Sequence, residues 1–179
     1  WGLVSRYGVM RGVWSMDTVG PISRTAEDAA ITLGAIAGHD PKDPHTQTTP
    51  VPNYRQALDG NIRGLRVGVI TEQLNHPLVE GETRDAVVGA IGVLGELGAT
   101  VEDVSLPSTA WANVASAMLL SVEPALSHRE WIRDRIGDYG HDVRIQQLVG
   151  SIVPAQAYYK AQKLRSLLRE QVQEALERY

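Results

Sequence analysis

At 179 residues, with 43% hydrophobic and 21% charged residues, the chain has the size and make-up of one globular domain with a sizeable core. A formal net charge of −4 is the wrong sign for a nucleic-acid-binding surface. The absence of cysteine excludes disulfide staples, thiolate metal ligands and a cysteine nucleophile, and fits a reducing cytoplasm.

Residues 1–24 are rich in glycine and short apolar pairs and read as extended segments joined by turns, with Val19-Gly20-Pro21 breaking any helix there. Thr25 has the chemistry of a helix N-cap, followed by Glu27 and Asp28 where the positive helix end favours acids. Ala26, Ala29, Ala30, Leu33 and Ala37 form a helical stripe that Gly38 closes. His39 to Asn53, punctuated by Pro41, Pro44, Pro50 and Pro52, reads as a surface loop. From Gly64 a short β-branched run through Ile70 predicts a largely buried strand, Glu82 to Leu97 a helix, and Ala99 to Leu106 a second strand closed by Pro107. Strand, helix and strand of these lengths make a βαβ unit with parallel strands.

The helix of that unit carries Gly89, Gly92 and Gly95 in its interior, at a cost of about 1 kcal/mol each relative to Ala. Phosphate-binding loops place their glycines before a helix, not along it, so close approach of the helix backbone to a sheet is the expected reason. The remaining 70 or so residues predict helices at about 109–121, 123–135 and 143–149. A long final helix is expected from Pro154, with Ala157, Ala161, Leu164, Leu168, Val172, Ala175 and Tyr179 along one face. The chain opens without Met, and that last helix carries no stop signal before Tyr179. Truncation at both ends is therefore the expectation.

The residues alone point to no chemistry. His39, His45, His76, His128 and His141 show no metal-ligand spacing, so no metal is expected. G-x-S-x-G, phosphate-loop and dinucleotide fingerprints are missing, and no cofactor is expected. No run of ~20 apolar residues suits a membrane, and Trp1 to Arg6 does not resemble a signal peptide.

Three groups of residues do resemble a known family. Leu3-Val4-Ser5-Arg6-Tyr7-Gly8-Val9, Ser15-Met16-Asp17-Thr18-Val19-Gly20-Pro21 and Arg24-Thr25-Ala26-Glu27-Asp28-Ala29-Ala30 follow, in order and spacing, the series of the amidase signature family. Ile36 to Pro44 resembles that family's "I-A-G-x-D-P-x-D-P", Gly64 to Val69 its "G-L-R-V-G-V" strand, and Ala157 to Arg165 its "Y-x-x-A-Q-x-x-R" helix. The resemblance implies an α/β fold, here a portion of an α/β/α sandwich with a mixed sheet and a helix-rich C-terminal half. Residues 1–179 would then be a partial amidase domain, from its middle to its C-terminal part.

The resemblance also implies hydrolysis of a carboxylic amide by a serine nucleophile, activated through a second serine and a lysine. All three lie upstream of the segment matched here in that family. No catalytic residue is therefore assigned: Lys42, Lys160 and Lys163 stand in other contexts. Two positions are candidates for substrate contact. Arg165 matches an arginine that, in the A subunits of tRNA amidotransferases, helps hold the substrate carboxylate; Asp17 could line the active-site rim. The implied partners are a small amide substrate, the rest of the amidase domain and a second copy of the chain, with no nucleic acid or membrane. A general amidase is the favoured reading, because the final helix lacks a second aromatic pair associated with A subunits. The A subunit of a tRNA-dependent amidotransferase and a non-catalytic binding module on the same scaffold are the alternatives.

Overall fold

A computed structural model describes all 179 residues. The chain divides into two compact units, Trp1–Gly60 with Leu120–Ser151, and Asn61–Leu119 with Ile152–Tyr179.

The first unit begins with irregular segments held by turns. Its first helix, α1 (Ala26–Ile36), is capped as the sequence predicts: the Thr25 side chain accepts from the Asp28 N–H. The chain leaves α1 through Gly38 at φ +137°, a conformation costly for any residue with a Cβ.

The second unit contains the βαβ arrangement: β1 (Arg66–Ile70), the short α2 (Thr71–Leu74), α3 (Gly81–Glu96) and β2 (Thr100–Val104). The two strands pair in parallel, with Arg66 opposite Thr100 and Ile70 opposite Val104. Antiparallel pairing is confined to one bridge, Val4 with Ala37, in the first unit. β1 is half-buried rather than buried. Gly98, at φ +99°, ends the α3 segment where a Cβ would sit 2.8 Å from the Arg63 Cγ. The Glu72 carboxylate fixes the exit of β2, accepting from the Ser105 hydroxyl and from the Leu106 N–H at 3.0 Å.

The glycine series in α3 does not mark a close approach. A Cβ at Gly89, Gly92 or Gly95 would meet nothing within 4 Å, and no residue of α3 or of α1 is buried. Val88 and Val93 are about half exposed. The cover that residues 1–179 give this helix is partial, with Ile91 and Leu94 half-buried.

After a 3₁₀ turn at Pro107–Trp111, α4 (Ala112–Ser127) continues through Pro124, where the sequence suggests two separate helices. Proline removes the N–H that would bond the carbonyl four residues back. That carbonyl, Leu120 O, instead accepts from the Gln146 side chain at 3.0 Å. α5 (Arg129–Arg135) and α6 (His141–Ile152) follow. Gly150 of α6 lies against α4 so closely that a Cβ would fall 1.9 Å from the Ser121 carbonyl oxygen.

The last helix, α7 (Ala155–Leu176), has Pro154 at its N-cap rather than inside its first turn. Its stripe holds: Ala161 is buried, and Ala157, Leu164, Leu168, Val172 and Ala175 are half-buried. The helix stops at Leu176, and Tyr179 closes over the β1 strand, where a Cβ on Gly68 would sit 3.0 Å from its ring. The Tyr179 hydroxyl donates to Glu102 at 3.0 Å. No helix is long and apolar enough to cross a membrane.

Two glycine substitutions separate these environments. Gly150→Ala is expected to destabilise the protein by about 3 kcal/mol, because backbone must move to admit the methyl. Gly92→Ala, with open space around it, is expected to stabilise by up to about 1 kcal/mol. Urea unfolding midpoints of the two variants check both signs.

Candidate functional site

The resemblance motifs between Leu3 and Pro44 lie in the first unit, where residues 1–6 run beside residues 37–47. The Gly38 N–H donates to Leu3 O at 2.9 Å and the Gln47 N–H to Gly2 O at 2.8 Å, flanking the Val4–Ala37 bridge. Gly2 is required: its φ is +81°, and a Cβ there would lie 2.6 Å from the His45 carbonyl oxygen.

The proline-punctuated loop is not a surface excursion throughout. Asp43 and Thr46 are among the most buried residues of the chain, at 6% and 8% exposure. Polar side chains fold the loop onto itself: the Thr46 hydroxyl donates to Asp43 O (2.8 Å) and accepts from the Asp40 N–H (3.0 Å). The Ser5 hydroxyl donates to Asp40 at 2.6 Å. Such bonds satisfy buried backbone groups without any repeating pattern.

Arg6 is the centre of this arrangement. Its N–H donates to the Asp43 carboxylate at 2.9 Å and its guanidinium lies 3.7 Å from the same oxygen. The guanidinium also donates to Trp14 O (2.7 Å) and Asp17 O (3.3 Å), and faces the Trp1 and Trp14 rings at 4.8 and 5.2 Å. The His45 ring stands edge-on to both tryptophans, at 4.9 and 5.0 Å, with Nδ1 3.3 Å from Asp43. Sequence reasoning does not single out Arg6, Asp43 or His45. The signal available is the Asp43-Pro44-His45 triplet, which a loop reading discounts.

Asp17 takes the N–H groups of Gly12 and Val13 on its two carboxylate oxygens, both at 2.9 Å, and so closes the turn from Gly12. It lines a cleft of about 180 Å³ together with Arg6, Tyr7, Arg11, Trp14 and Lys42. Lys42 sits over the Tyr7 ring at 4.9 Å and Arg11 over Trp14 at 4.1 Å. Arg165 belongs to the second unit, half-buried on α7 between Leu164 and Leu168. Lys163 of the same helix covers the Tyr159 ring at 4.9 Å. The chemistry of the first-unit cluster is that of positioning: its hydroxyls, carboxylates and guanidinium are held by one another and by main chain.

Two carboxyls record that environment. The Ser5 hydroxyl, followed by the Lys42 N–H, holds Asp40 below its ordinary range, and the N–H groups of Arg6 and then His45 do the same for Asp43.

A family model described as Amidase matches residues 1–179, the whole chain. The glutamyl-tRNA(Gln) amidotransferase A subunit of Geobacillus stearothermophilus is 36% identical over all of this chain and 42% of its own length. Among solved structures, one described as a vestigial protein complex bearing on the origins of an s-triazine catabolic enzyme superposes with a TM-score of 0.88 at 28% identity, covering 97% of this chain and 37% of that one. The same amidotransferase component from Thermotoga maritima gives a TM-score of 0.79 at 27% identity, covering 100% and 39%. The chain thus spans about two fifths of the length of the curated relatives it matches.

Because Asp40 and Asp43 are more acidic folded than unfolded, the native state binds fewer protons between the two values. The stability they contribute is full above the ordinary value of 3.8 and is lost as pH falls through the depressed ones. Unfolding midpoints measured from pH 5 down to pH 2 should fall, and Asp43→Asn should flatten that decline while lowering the midpoint at pH 7.

Proposed function

This chain belongs to the amidase family, and on that premise we propose that residues 1–179 are part of a larger amidase domain that cleaves the C–N bond of a linear carboxylic amide. In this reading a serine carried by chain outside these residues attacks the amide carbonyl. Main-chain N–H groups hold the oxyanion, the amine departs, and water then frees the acid. The observation that carries the reading is the match of the family model to all 179 residues. It is supported by the way the signature segments fold around Arg6 and Asp43. The exposed Ile31 and Ile36 of α1 and Val87, Val88 and Val93 of α3 suit docking of the rest of that domain, since water-exposed Val and Ile gain about 25 cal/mol for each Å² covered.

Two residues take proposed roles. Asp17 acts as a positioning residue at the rim, fixing the turn from Gly12 through its two main-chain bonds. Arg165 offers a guanidinium suited to a substrate that carries a carboxylate. A cytoplasmic setting accompanies the reading, in keeping with a chain free of cysteine.

A second reading, the A subunit of a tRNA-dependent amidotransferase that releases ammonia from glutamine, is favoured by the 36% identity to a protein of that kind. Arg165 separates the two. In an enzyme that uses glutamine, Arg165→Met should raise KM for glutamine about tenfold or more through loss of a charge-assisted bond. It should leave KM for a small uncharged amide within about twofold.

Residues 1–179 alone are expected to hydrolyse no amide. The purified chain, assayed for ammonia release from propionamide and glutamine, should match buffer, whereas the intact protein should turn over at least one of them. Turnover by the 179-residue chain would overturn the placement of the nucleophile.

A further inference from the structure

Glu123 of α4 is only 7% exposed, and a carboxylate so far out of water is tolerated only against strong hydrogen bonds. Both of its oxygens reach Ser15, 108 residues away in the chain: Oε2 accepts from the Ser15 N–H at 2.8 Å and Oε1 from its hydroxyl at 2.7 Å. Short bonds to an ionised acceptor are the strong kind. Two of them on one residue fix the orientation of Ser15 as well as its distance, which a single bond does not.

Ser15 stands inside the signature turn. Within that segment, Asp17 takes the N–H groups of Gly12 and Val13, and Val13 O takes those of Met16 and Asp17 at 2.9 and 2.8 Å. The Arg6 guanidinium donates to Trp14 O and Asp17 O. These bonds shape the turn, but all come from residues 6–17, so none of them locates it against a helix. Two side chains from the end of α4 do. Glu123 grips Ser15, and His128, just past Ser127, donates from Nε2–H to Arg11 O at 3.2 Å. The His128 ring also lines a pocket of about 290 Å³ with Met10, Trp131 and Tyr139. The paired Glu123 bonds are the shorter and firmer tie. Arg11, Trp14 and Asp17 of the same turn line the cleft of about 180 Å³, so a shift of the turn moves that wall.

We propose that Glu123 is a positioning residue for amide hydrolysis, a role that rests on the amidase reading above. It holds Ser15, and through Ser15 the turn from Gly12 to Asp17, at one place on α4, and so sets the cleft wall. It acts by geometry and moves no proton.

The test measures kcat and KM of the intact enzyme for propionamide and glutamine, per mole of folded protein, in wild type, Glu123→Ala, Glu123→Gln, Ser15→Ala and the double variant of Glu123→Ala with Ser15→Ala. In Glu123→Ala kcat should fall about tenfold to a hundredfold, the scale of a displacement of about 1 Å, with KM changed less than about threefold. Glu123→Gln should stay within about threefold of wild type with an unshifted pH profile, because its amide oxygen accepts from the Ser15 N–H while its NH2 donates to the hydroxyl oxygen. Ser15→Ala should lose several-fold, and the double variant should be no slower than Glu123→Ala, since both changes break one link. Unchanged kcat in Glu123→Ala beside a lowered unfolding midpoint marks a purely structural group and overturns the proposal. Additive losses in the double variant, or Glu123→Gln as slow as Glu123→Ala, overturn it too. If Glu123→Ala does not fold, Ser15→Ala decides: several-fold slower supports the proposal, equal to wild type overturns it. Should wild type turn over neither amide, the amidase reading fails, and hydrogen exchange then decides the brace by itself. Exchange of the amides of residues 12–17 at least about tenfold faster in Glu123→Ala, with residues 66–70 unchanged, supports it. Equal exchange overturns it.

Discussion

The buried pairing of Arg6 with Asp43 is the constraint around which the first unit is arranged. Both side chains are nearly out of water, at 10% and 7% exposure, and a charge so placed is tolerated only when its hydrogen bonds are complete. Asp43 is completed by the N–H groups of Arg6 and His45, and the guanidinium by two carbonyls and two indole faces. Satisfying one ion pair therefore fixes the start of the chain, the turn at Asp17 and the proline-rich loop together. The spacing of the signature segments, so specific in sequence, follows from that need.

Much of the architecture is legible where local pattern alone decides it. Thr25 caps α1, Gly98 stops α3, β1 and β2 pair in parallel, and the α7 stripe turns inward at every position from Ala157 to Ala175. What escapes such a reading depends on partners far away in sequence. Pro124 suggests a break, yet α4 continues because Gln146 offers the missing donor from 26 residues away. The loop from His39 looks solvated because its residues are polar, yet Asp43 and Thr46 are buried by bonds to main chain that have no period. The glycines of α3 suggest a close neighbour, and none of the 179 residues is that neighbour.

The candidate site is legible only through resemblance. Asp17 and Arg165 stand out by their place in family motifs, and neither composition nor periodicity marks them. The rings around His128 give no signal either, since Met10 and Trp131 are 121 residues apart and only the fold makes them walls of one pocket.

The four tryptophans of the chain are divided unevenly, with Trp1, Trp14 and Trp131 in the first unit and Trp111 in the second. Two of the first-unit indoles sit against the Arg6 guanidinium and the His45 ring, and the third against His128. The intrinsic emission of this protein is consequently weighted toward one unit and tuned by neighbouring imidazoles. Tryptophan emission will therefore register loosening of the signature segments more strongly than loosening of the parallel strands, over which a tyrosine, Tyr179, lies.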